Sequence, residues 1–411
     1  MAKQRILIVS DAVACTGLAR VAYNIFHPLH EKYDLHQIAR NYNGEPNEWP
    51  WKLYPARLGD NANDIERIKP LTDELRPDLM VMIDDFYNIN GYLFQLKDLP
   101  VESRPITIAY TPVDGNDLDP DYIQYFSELD LLVAYTEFSK QEFRKAEKWI
   151  QVNRPDFRLP DMRVLPHGVD TDIYYPLDGT TPGPARERER REIRKALWPD
   201  REDIADAFII LNANRNQPRK RIDATIEGFS RFAEDKPDSV KLYLHMGLKD
   251  HGWHIVKIAG MYGILNRLLL STQDEEPPEF SQEELNEVYN ACQVGLNTAV
   301  GEGWGLVSFE HAATGAAQVV PNHSACAELW QGAAEIMPVA THSRSPQTLT
   351  NLGLVDAQAV ADALERLYAD PAYLAELSEA AYKNATQPAY EWKQISKRWE
   401  ELFAEILSQA V

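Results

Sequence analysis

Two successive series of short apolar runs, each run followed by an amphipathic stretch, constrain this 411-residue chain more than any other feature of its sequence. The first series has its clearest runs at residues 6–9, 79–83, 106–110, 131–135 and 163–166. The second series has them at residues 208–212, 241–245, 267–271, 294–297 and 318–320. Such runs, alternating with helical patterns, are typical of parallel strands joined by crossover helices. We therefore expect an α/β fold with two Rossmann-like, doubly wound domains.

Length and a change in composition divide the chain between the two series. A chain of this size exceeds what one hydrophobic core usually supports, and the run DGTTPGP at residues 178–184 is typical of a linker. The predicted organisation is a first domain at residues 1–176, a linker with a charged helix at 177–205, a second domain at 206–385 and a C-terminal helix at 386–411. Two such domains imply a cleft between them, faced by the carboxyl ends of the strands, where open α/β sheets bind ligands.

The charge balance argues against some classes of partner. With 42 Lys and Arg against 63 Asp and Glu, the formal net charge is −21. This charge repels polyanions, so general binding of nucleic acid or of an anionic membrane is not expected. The strongest basic run, at residues 186–194, alternates Arg with Glu and is interpreted as a solvated helix face.

Cysteine and carboxylate usage does not indicate a metal centre. Cys15, Cys292 and Cys326 have no paired spacing, which favours reduced thiols over disulfides or a zinc site and predicts a cytoplasmic protein. The acidic pairs at residues 84–85 and 117–119 are interpreted as solvated turns. No apolar run reaches the ~18 residues that a transmembrane span needs.

The most informative segment is GEGWGLVSFE at residues 301–310, where a predicted strand ends in a glycine-rich turn that opens a helix. The first backbone N–H groups of that helix, near Leu306 and Val307, and the helix dipole favour an anion in the turn. Gly303 and Gly305 let a phosphate approach the backbone without a Cβ in the way. The segment therefore predicts a phosphate site.

Two carboxylates flank this turn. Glu302 lies in the turn and Glu310 lies one to one and a half turns into the helix, so both can face the cleft. A pair placed in this way can accept hydrogen bonds from hydroxyl groups of a sugar and of a ribose. On spacing alone, a surface Glu and an ordinary helix Glu explain the pattern equally well.

A basic loop, NRNQPRKR at residues 214–221, follows the first strand of the second series. Arg215 and Lys220 lie at the carboxyl end of that strand, where they can clamp a diphosphate and stabilise the charge that grows on a leaving group. A solvated basic loop is the alternative. Together, the loop and the glycine-rich turn predict a site that holds an anionic leaving group with fixed positive charge and without a metal.

In order and in content, these segments resemble the retaining glycosyltransferases of family four, which have the GT-B fold. The resemblance extends over nearly the whole chain. Residues 301–315 resemble the Glu-x7-Glu signature of that family, and LPHGVD at 165–170 resembles the stretch at its domain crossover. TGLARVA at 16–22 resembles its N-terminal glycine loop, and YTEFS at 135–139 a further landmark of the acceptor lobe.

The resemblance implies a role for each segment. The first domain would bind the acceptor, the second domain would bind a nucleotide-diphosphate sugar, and the C-terminal helix would cross back onto the first domain. Glu302 would contact hydroxyl groups of the donor sugar, and Glu310 would hold the ribose. The implied donor-binding set is Gly17, Arg215, Lys220, Gly303, Trp304, Gly305, Leu306, Val307 and Glu310.

Several positions depart from the pattern of the family. Arg221 stands where the family usually has Gly, Trp304 replaces Phe or Tyr, and His311 takes the place of a small residue. The predicted strand that ends at Tyr110 lacks the His that many relatives carry near the sugar. Asp114 is our candidate to replace it, although PVDG is a good turn sequence and a turn-capping Asp is the alternative.

The sequence thus predicts a hexosyl- or pentosyltransferase that moves a sugar to a hydroxyl acceptor with retention of configuration and without a cofactor. Glu302 and Asp114 are its candidate catalytic residues. The alternatives are a non-catalytic scaffold that binds a nucleotide sugar or glycan, and an epimerase or hydrolase on the same fold. Lipid, glycan, small-molecule and modified-base acceptors are all compatible with the sequence.

Overall fold

The computed structural model describes residues 3–13, 16–56, 67–100, 103–177 and 184–409. The chain divides into two compact units. The first unit comprises Met1–Gly168, Ser345–Thr350 and Ala389–Val411, and the second comprises Val169–Arg344 and Asn351–Pro388. Most of the expected linker run lies outside the described residues, as does Cys15.

Each unit is built on one parallel sheet. The described strands are β1 (Arg5–Asp11), β2 (Asp34–Arg40), β3 (Lys52–Pro55), β4 (Leu79–Ile83), β5 (Ile106–Thr111), β6 (Leu131–Ala134), β7 (Asp161–Val164), β8 (Phe208–Asn212), β9 (Val240–Leu244), β10 (Leu268–Leu270), β11 (Val294–Leu296), β12 (Ala317–Pro321), β13 (Glu335–Met337), β14 (Thr341–Arg344) and β15 (Asn351–Leu354). The strand order is β3-β2-β1-β4-β5-β6-β7 in the first unit and β10-β9-β8-β11-β12-β13 in the second, with β14 and β15 forming a separate antiparallel pair.

Helices connect these strands. They are α1 (Gly17–Phe26), α2 (Ile68–Leu75), α3 (Phe86–Leu96), α4 (Glu137–Ile150), α5 (Pro184–Leu197), α6 (Glu202–Ala205), α7 (Ile222–Ala233), α8 (Ile255–Met261), α9 (Gln282–Ala291), α10 (Leu306–Ala313), α11 (Ser324–Leu329), α12 (Ala357–Ala369), α13 (Pro371–Ala385) and α14 (Trp392–Gln409). Central strands such as β4 and β12 are buried along their whole length, as expected for parallel strands with both faces protected. The predicted α/β fold with two Rossmann-like sheets is confirmed.

The C-terminal helix α14 belongs to the first unit. The Ser396 hydroxyl donates a hydrogen bond to the carbonyl of Ile25 at 2.8 Å, and the ring of Phe403 stacks on Phe26 with centroids 5.9 Å apart. A Cβ on Gly168 would lie 2.6 Å from the Trp392 ring. Glycine in the LPHGVD run is therefore required by the close approach of α14.

The charged helix α5 was expected to be solvated, and this interpretation is wrong. The side chains of Arg186, Arg190 and Arg194 follow one another at four-residue intervals on one helix face and are only 1%, 5% and 2% exposed. Burial of an arginine is tolerated only where hydrogen bonds satisfy its guanidinium. The alternation of Arg with Glu hides this buried stripe, because the intervening residues carry the solvated charges.

The buried arginines bind the carboxyl ends of two helices. Arg194 donates to the carbonyl of Ala291, the last residue of α9, at 2.8 Å. Arg190 donates to the carbonyl of Gly315, just beyond α10, at 3.2 Å. Carbonyl groups at a helix carboxyl end lack partners within the helix and favour cations. We call these three arginines of α5 the arginine clamp.

Among the residues that the structure describes, no helix combines the length and apolar composition needed to cross a membrane. No group of three or more His, Cys, Asp or Glu residues in the same part of the chain has the arrangement of a metal site.

The arginine clamp yields a stability prediction. Arg194→Ala removes a buried guanidinium and leaves the carbonyl of Ala291 without this donor. The side-chain oxygen of Gln293 loses one of its two donors and keeps the backbone N–H of Ile209. We expect the free energy of unfolding to fall by about 3 kcal/mol. The matched control is Arg191→Ala on the exposed face of the same helix, for which a change within about 0.5 kcal/mol is expected. Equal urea midpoints for the two variants would contradict the clamp.

Candidate functional site

The basic loop and the glycine-rich turn lie side by side in the second unit. They follow β8 and β11, which are neighbours in the sheet, so both begin at the same edge. The Thr298 hydroxyl donates to the carbonyl of Lys220 at 2.9 Å. The backbone N–H of Val300 donates to the carbonyl of Arg219 at 2.8 Å. These bonds fix the two segments against each other.

A buried ion pair joins the two segments. The Lys220 ammonium donates to the Oε1 atom of Glu302, and the two residues are only 7% and 5% exposed. The side-chain amide of Asn297 donates to the same carboxylate oxygen at 3.2 Å. The Arg219 guanidinium lies 3.9 Å from Oε2. The carboxylate of Glu302 is thus held by two cations and an amide.

The electrostatics keep Glu302 ionised. Burial alone would raise the pKa of this carboxyl group, but the charges of Lys220 and Arg219 outweigh it and lower the pKa below its ordinary value. Neither charge of the pair could be buried alone without a large desolvation cost. The pair is therefore a stable, oriented feature of the site.

The backbone at Glu302 is positioned by residues that follow β12. The N–H of Glu302 donates to the hydroxyl of Ser324 at 3.2 Å, and His323 contacts the same hydroxyl through Nδ1 at 3.0 Å. Ser324 has φ of +47°. The sequence analysis did not single out these residues or Asn297 as parts of the site. Their position shortly after the carboxyl end of a strand is the feature that could have indicated them.

Helix α10 begins at Leu306, shortly after Glu302 in the sequence. Gly305 precedes the helix with φ of +91°, and a Cβ there would meet nothing within 4 Å, so conformation and not space requires glycine. The N-cap residue of this helix, Gly305, makes no side-chain capping hydrogen bond, whereas the side chains of Thr16 and Ser281 cap α1 and α9. An uncapped amino end with its dipole favours an anion.

Other residues of the segment 301–310 are buried. The ring of Trp304 is buried and stacks on Phe309 with centroids 5.0 Å apart, and Phe309 in turn packs on Trp330. Glu310 is buried, and its carboxylate accepts a hydrogen bond from the Tyr289 hydroxyl at 3.2 Å. Trp304 thus supports the turn from within.

Arg215 has a different environment from Lys220. Its guanidinium forms a two-point ion pair with Asp250, with Nε 2.7 Å from Oδ2 and Nη2 3.3 Å from Oδ1. The Arg215 side chain is 46% exposed. Asp250 lies beyond β9, on the opposite side of β8 from β11. Of the two predicted cations, the structure brings Lys220 to the glycine-rich turn and pairs Arg215 with Asp250.

Two predicted site residues belong to the first unit. Gly17 is exposed and begins α1, where the Thr16 hydroxyl accepts a hydrogen bond from the N–H of Ala19 at 3.2 Å. Asp114 follows β5 and is half-buried. The proposed donor-binding and catalytic residues are therefore distributed over both units, with Lys220, Glu302 and the glycine-rich turn together in the second.

The backbone explains one departure from the resemblance. Arg221 adopts the left-handed conformation with φ of +50° and ψ of +50°, which glycine adopts without strain. Its guanidinium bonds to the Asp223 carboxylate at 2.9 Å. At the position where the resemblance implies Gly, this chain has a non-glycine residue in the left-handed conformation.

Packing explains a second departure. His311 is buried, and its ring stacks on Tyr289 with centroids 5.3 Å apart. A Cβ on Gly295 of β11 would lie 2.6 Å from the Nδ1 atom of His311. The glycine in the strand therefore makes room for the large residue on α10.

Comparison with solved structures identifies the fold. Anabaena HepE, in complex with UDP and glucose, matches 98% of this chain and 100% of its own with a TM-score of 0.69 at 13% identity. Sucrose-phosphate synthase from Thermosynechococcus elongatus matches 99% and 100% with a TM-score of 0.71 at 15% identity. The chain has the GT-B fold.

A third GT-B structure agrees with this result. A UDP-forming alpha,alpha-trehalose-phosphate synthase from Burkholderia vietnamiensis matches 99% of this chain and 100% of its own with a TM-score of 0.69 at 13% identity. No protein-family model matches the sequence, and no curated protein matches it. At these identities the likeness establishes the fold alone.

The left-handed conformation of Arg221 gives a test by paired substitution. Arg221→Gly and Arg221→Ala both lose the ion pair with Asp223, so their comparison isolates the backbone. We expect the glycine variant to be more stable by about 1 kcal/mol, because an alanine Cβ is strained at positive φ. Chemical denaturation measures the difference, and an alanine variant of equal or greater stability would contradict the assigned conformation.

The buried His311 predicts a pH dependence of stability. Burial lowers the pKa of this imidazole to about 3, so the folded protein keeps it neutral where the unfolded chain, with an ordinary pKa near 6.5, binds a proton. The free energy of unfolding is therefore highest above pH 6.5 and falls as the pH is lowered, because only the unfolded chain then binds the proton. Between pH 6.5 and 5.0 the free energy of unfolding falls by about 2 kcal/mol.

His311→Gln should reduce that loss in urea unfolding measured at several pH values. His251→Gln, at an exposed position, is the matched control and should leave the pH dependence unchanged. A pH profile for His311→Gln identical to that of the wild type would show that His311 is not buried in the neutral form.

Proposed function

We propose that this chain is a retaining, metal-independent glycosyltransferase, similar to those of family four, that transfers a sugar from a nucleotide diphosphate to a hydroxyl acceptor. The observation that carries this proposal is the buried Lys220–Glu302 ion pair directly before the uncapped amino end of α10. One half of this arrangement accepts hydrogen bonds from sugar hydroxyls, and the other half attracts phosphate.

In the proposed reaction, the diphosphate of the donor lies at the amino end of α10, against the N–H groups of Leu306 and Val307. The bond between the anomeric carbon and the phosphate oxygen breaks, and the diphosphate leaves with the electron pair. The acceptor oxygen forms the new bond on the same face, and its proton passes to the leaving phosphate. Lys220 and Arg219 stabilise the charge that develops on that group.

Glu302 would hold the donor sugar in this scheme. Its carboxylate is ionised and can only accept hydrogen bonds, so it suits sugar hydroxyls. The ammonium of Lys220 has three donors, which lets it bond to the diphosphate while keeping Glu302 as a partner. The ion pair would thus orient both groups before the donor arrives.

The remaining assignments belong to the same proposal. Glu310 would bind the ribose, Gly17 would contribute backbone contacts, and Asp114 would act on the acceptor side. Arg215, which is paired with Asp250, would contribute to binding the diphosphate.

A uridine diphosphate donor is the first choice to test. HepE was crystallised with UDP and glucose, the trehalose-phosphate synthase of B. vietnamiensis is described as UDP-forming, and an E. coli structure holds UDP-2-fluoro glucose. These names describe other proteins. They make UDP-hexoses the leading donors for a chain with the same fold.

Donor turnover tests the proposal. The protein is incubated with UDP-glucose, UDP-galactose and GDP-mannose, with and without EDTA, and released nucleotide diphosphate is measured. We expect one of these donors to release nucleotide diphosphate slowly, and we expect this release to continue in the presence of EDTA. Lys220→Ala and Glu302→Gln should each lower release by about 100-fold, the size of effect seen when a charge-stabilising contact is removed.

The matched controls are Lys249→Ala and Glu283→Gln, which change exposed residues of the same unit and should retain wild-type release. Full activity in the Lys220 variant would refute its role, and loss of activity in EDTA would refute metal independence. Donor binding without turnover would favour the scaffold alternative. The anomeric configuration of the product, read by NMR, tests retention.

A further inference from the structure

The sheet of the first unit has a concentration of carboxylates at its carboxyl edge. Asp11 ends β1, Asp84 and Asp85 follow β4, and Asp114 follows β5. We call these four residues the acidic edge. In the strand order, β1 and β4 are the neighbours between which the direction of winding reverses. Ligands of open α/β sheets bind outside the carboxyl ends at this switch point.

Part of the acidic edge is occupied by the protein itself. Asp84 is fully buried and forms an ion pair with Arg40, and it also accepts hydrogen bonds from Tyr92 and from Asn88. Arg40 therefore neutralises Asp84. This ion pair stabilises the edge, whose other carboxylates belong to Asp11, Asp85 and Asp114.

A buried hydroxyl group adjoins the acidic edge. Tyr135 follows β6 and is 3% exposed, and its hydroxyl has no hydrogen-bond partner among the described residues. Burial, followed by the neighbouring Tyr110 and the charges of Asp85, Asp84 and Asp114, raises the pKa of Tyr135, so this group stays protonated. A buried hydroxyl without a partner is costly in a native protein, and a ligand that binds there would satisfy it.

An aromatic side chain completes the surface. Tyr87 is 37% exposed, and its hydroxyl donates to the Asp85 carboxylate at 2.6 Å. Its ring meets Phe86 and Tyr122 edge-on, with centroids 5.5 and 6.2 Å apart. Aromatic rings give apolar area for the C–H groups of a polyol, while carboxylates accept hydrogen bonds from its hydroxyls.

We infer that the acidic edge, with Tyr87 and Tyr135, binds the acceptor and selects a hydroxyl-bearing molecule that carries no negative charge. The inference rests on the proposed function, because it names the substrate class on the acceptor side. The charged groups that act most strongly on the Tyr87 and Tyr135 hydroxyls are Asp84, Asp85 and Asp114. A phosphate or carboxylate group on the acceptor would be repelled by them.

Matched pairs of sugars test this selection. Binding of glucose, galactose and mannose, and of the 6-phosphates of the same sugars, is measured by ligand-observed NMR with the full-length protein saturated with UDP. We expect at least one neutral sugar to bind and its 6-phosphate to bind at least about tenfold more weakly. Equal or tighter binding of the phosphates overturns the inference, and so does the absence of binding by every neutral sugar.

Substitutions place the effect at the acidic edge. The double variant Asp85→Asn, Asp114→Asn should reduce the ratio between the affinities for the neutral sugar and for its 6-phosphate. Carboxylates that served only to stabilise the fold would leave this ratio unchanged. Tyr135→Phe should weaken binding of the neutral sugar by about tenfold. Tyr33→Phe, at another buried tyrosine of the first unit, is the control and should leave binding unchanged. An unaltered preference in the double variant overturns the assignment.

The two proposals fail in different ways. A protein that releases nucleotide from a donor but prefers phosphorylated sugars would keep the proposed function and lose this inference. A protein that neither binds nor cleaves any nucleotide sugar would lose the proposed function itself.

Discussion

The candidate site depends on the requirement that two buried opposite charges satisfy each other. Lys220 and Glu302 come from different loops, and each would be costly to bury alone. Their pairing fixes the basic loop against the glycine-rich turn and leaves the amino end of α10 beside them. Together with the hydrogen bonds of Thr298 and Val300, this electrostatic requirement holds the two segments beside each other.

Much of the fold could be predicted because buried parallel strands are nearly continuous apolar runs. Strands β4 and β8, at the centres of their sheets, show this clearly. Strands β2 and β3 were missed because the sequences DLHQIAR and KLYP mix polar with apolar residues, as strands near a sheet edge can. The β14–β15 pair was also missed, because all four residues of β14 are exposed and form no apolar run.

The candidate site was predictable only in part. Glu302, Lys220 and the glycines belong to local motifs, so the sequence marked them as candidates, and the structure brings Lys220 and Glu302 into contact. Asn297 and Ser324 contribute through contacts that the sheet brings together, and their position after a strand is the one sequence feature that marks them. The arginine clamp was not predicted because the alternating charges of its segment resemble those of a solvated helix. The buried arginines recur at every fourth residue, a spacing that places them on one helix face.

The arginine clamp changes where the second unit can be considered to begin. Because α5 supplies donors for the carboxyl ends of α9 and α10, it is a structural part of the second unit, although it precedes the first strand of that unit. A chimaera that exchanges the first unit between related chains must therefore join the two parts upstream of residue 184. Since α14 packs on the first unit, such an exchange must also include the C-terminal segment from residue 389 onward.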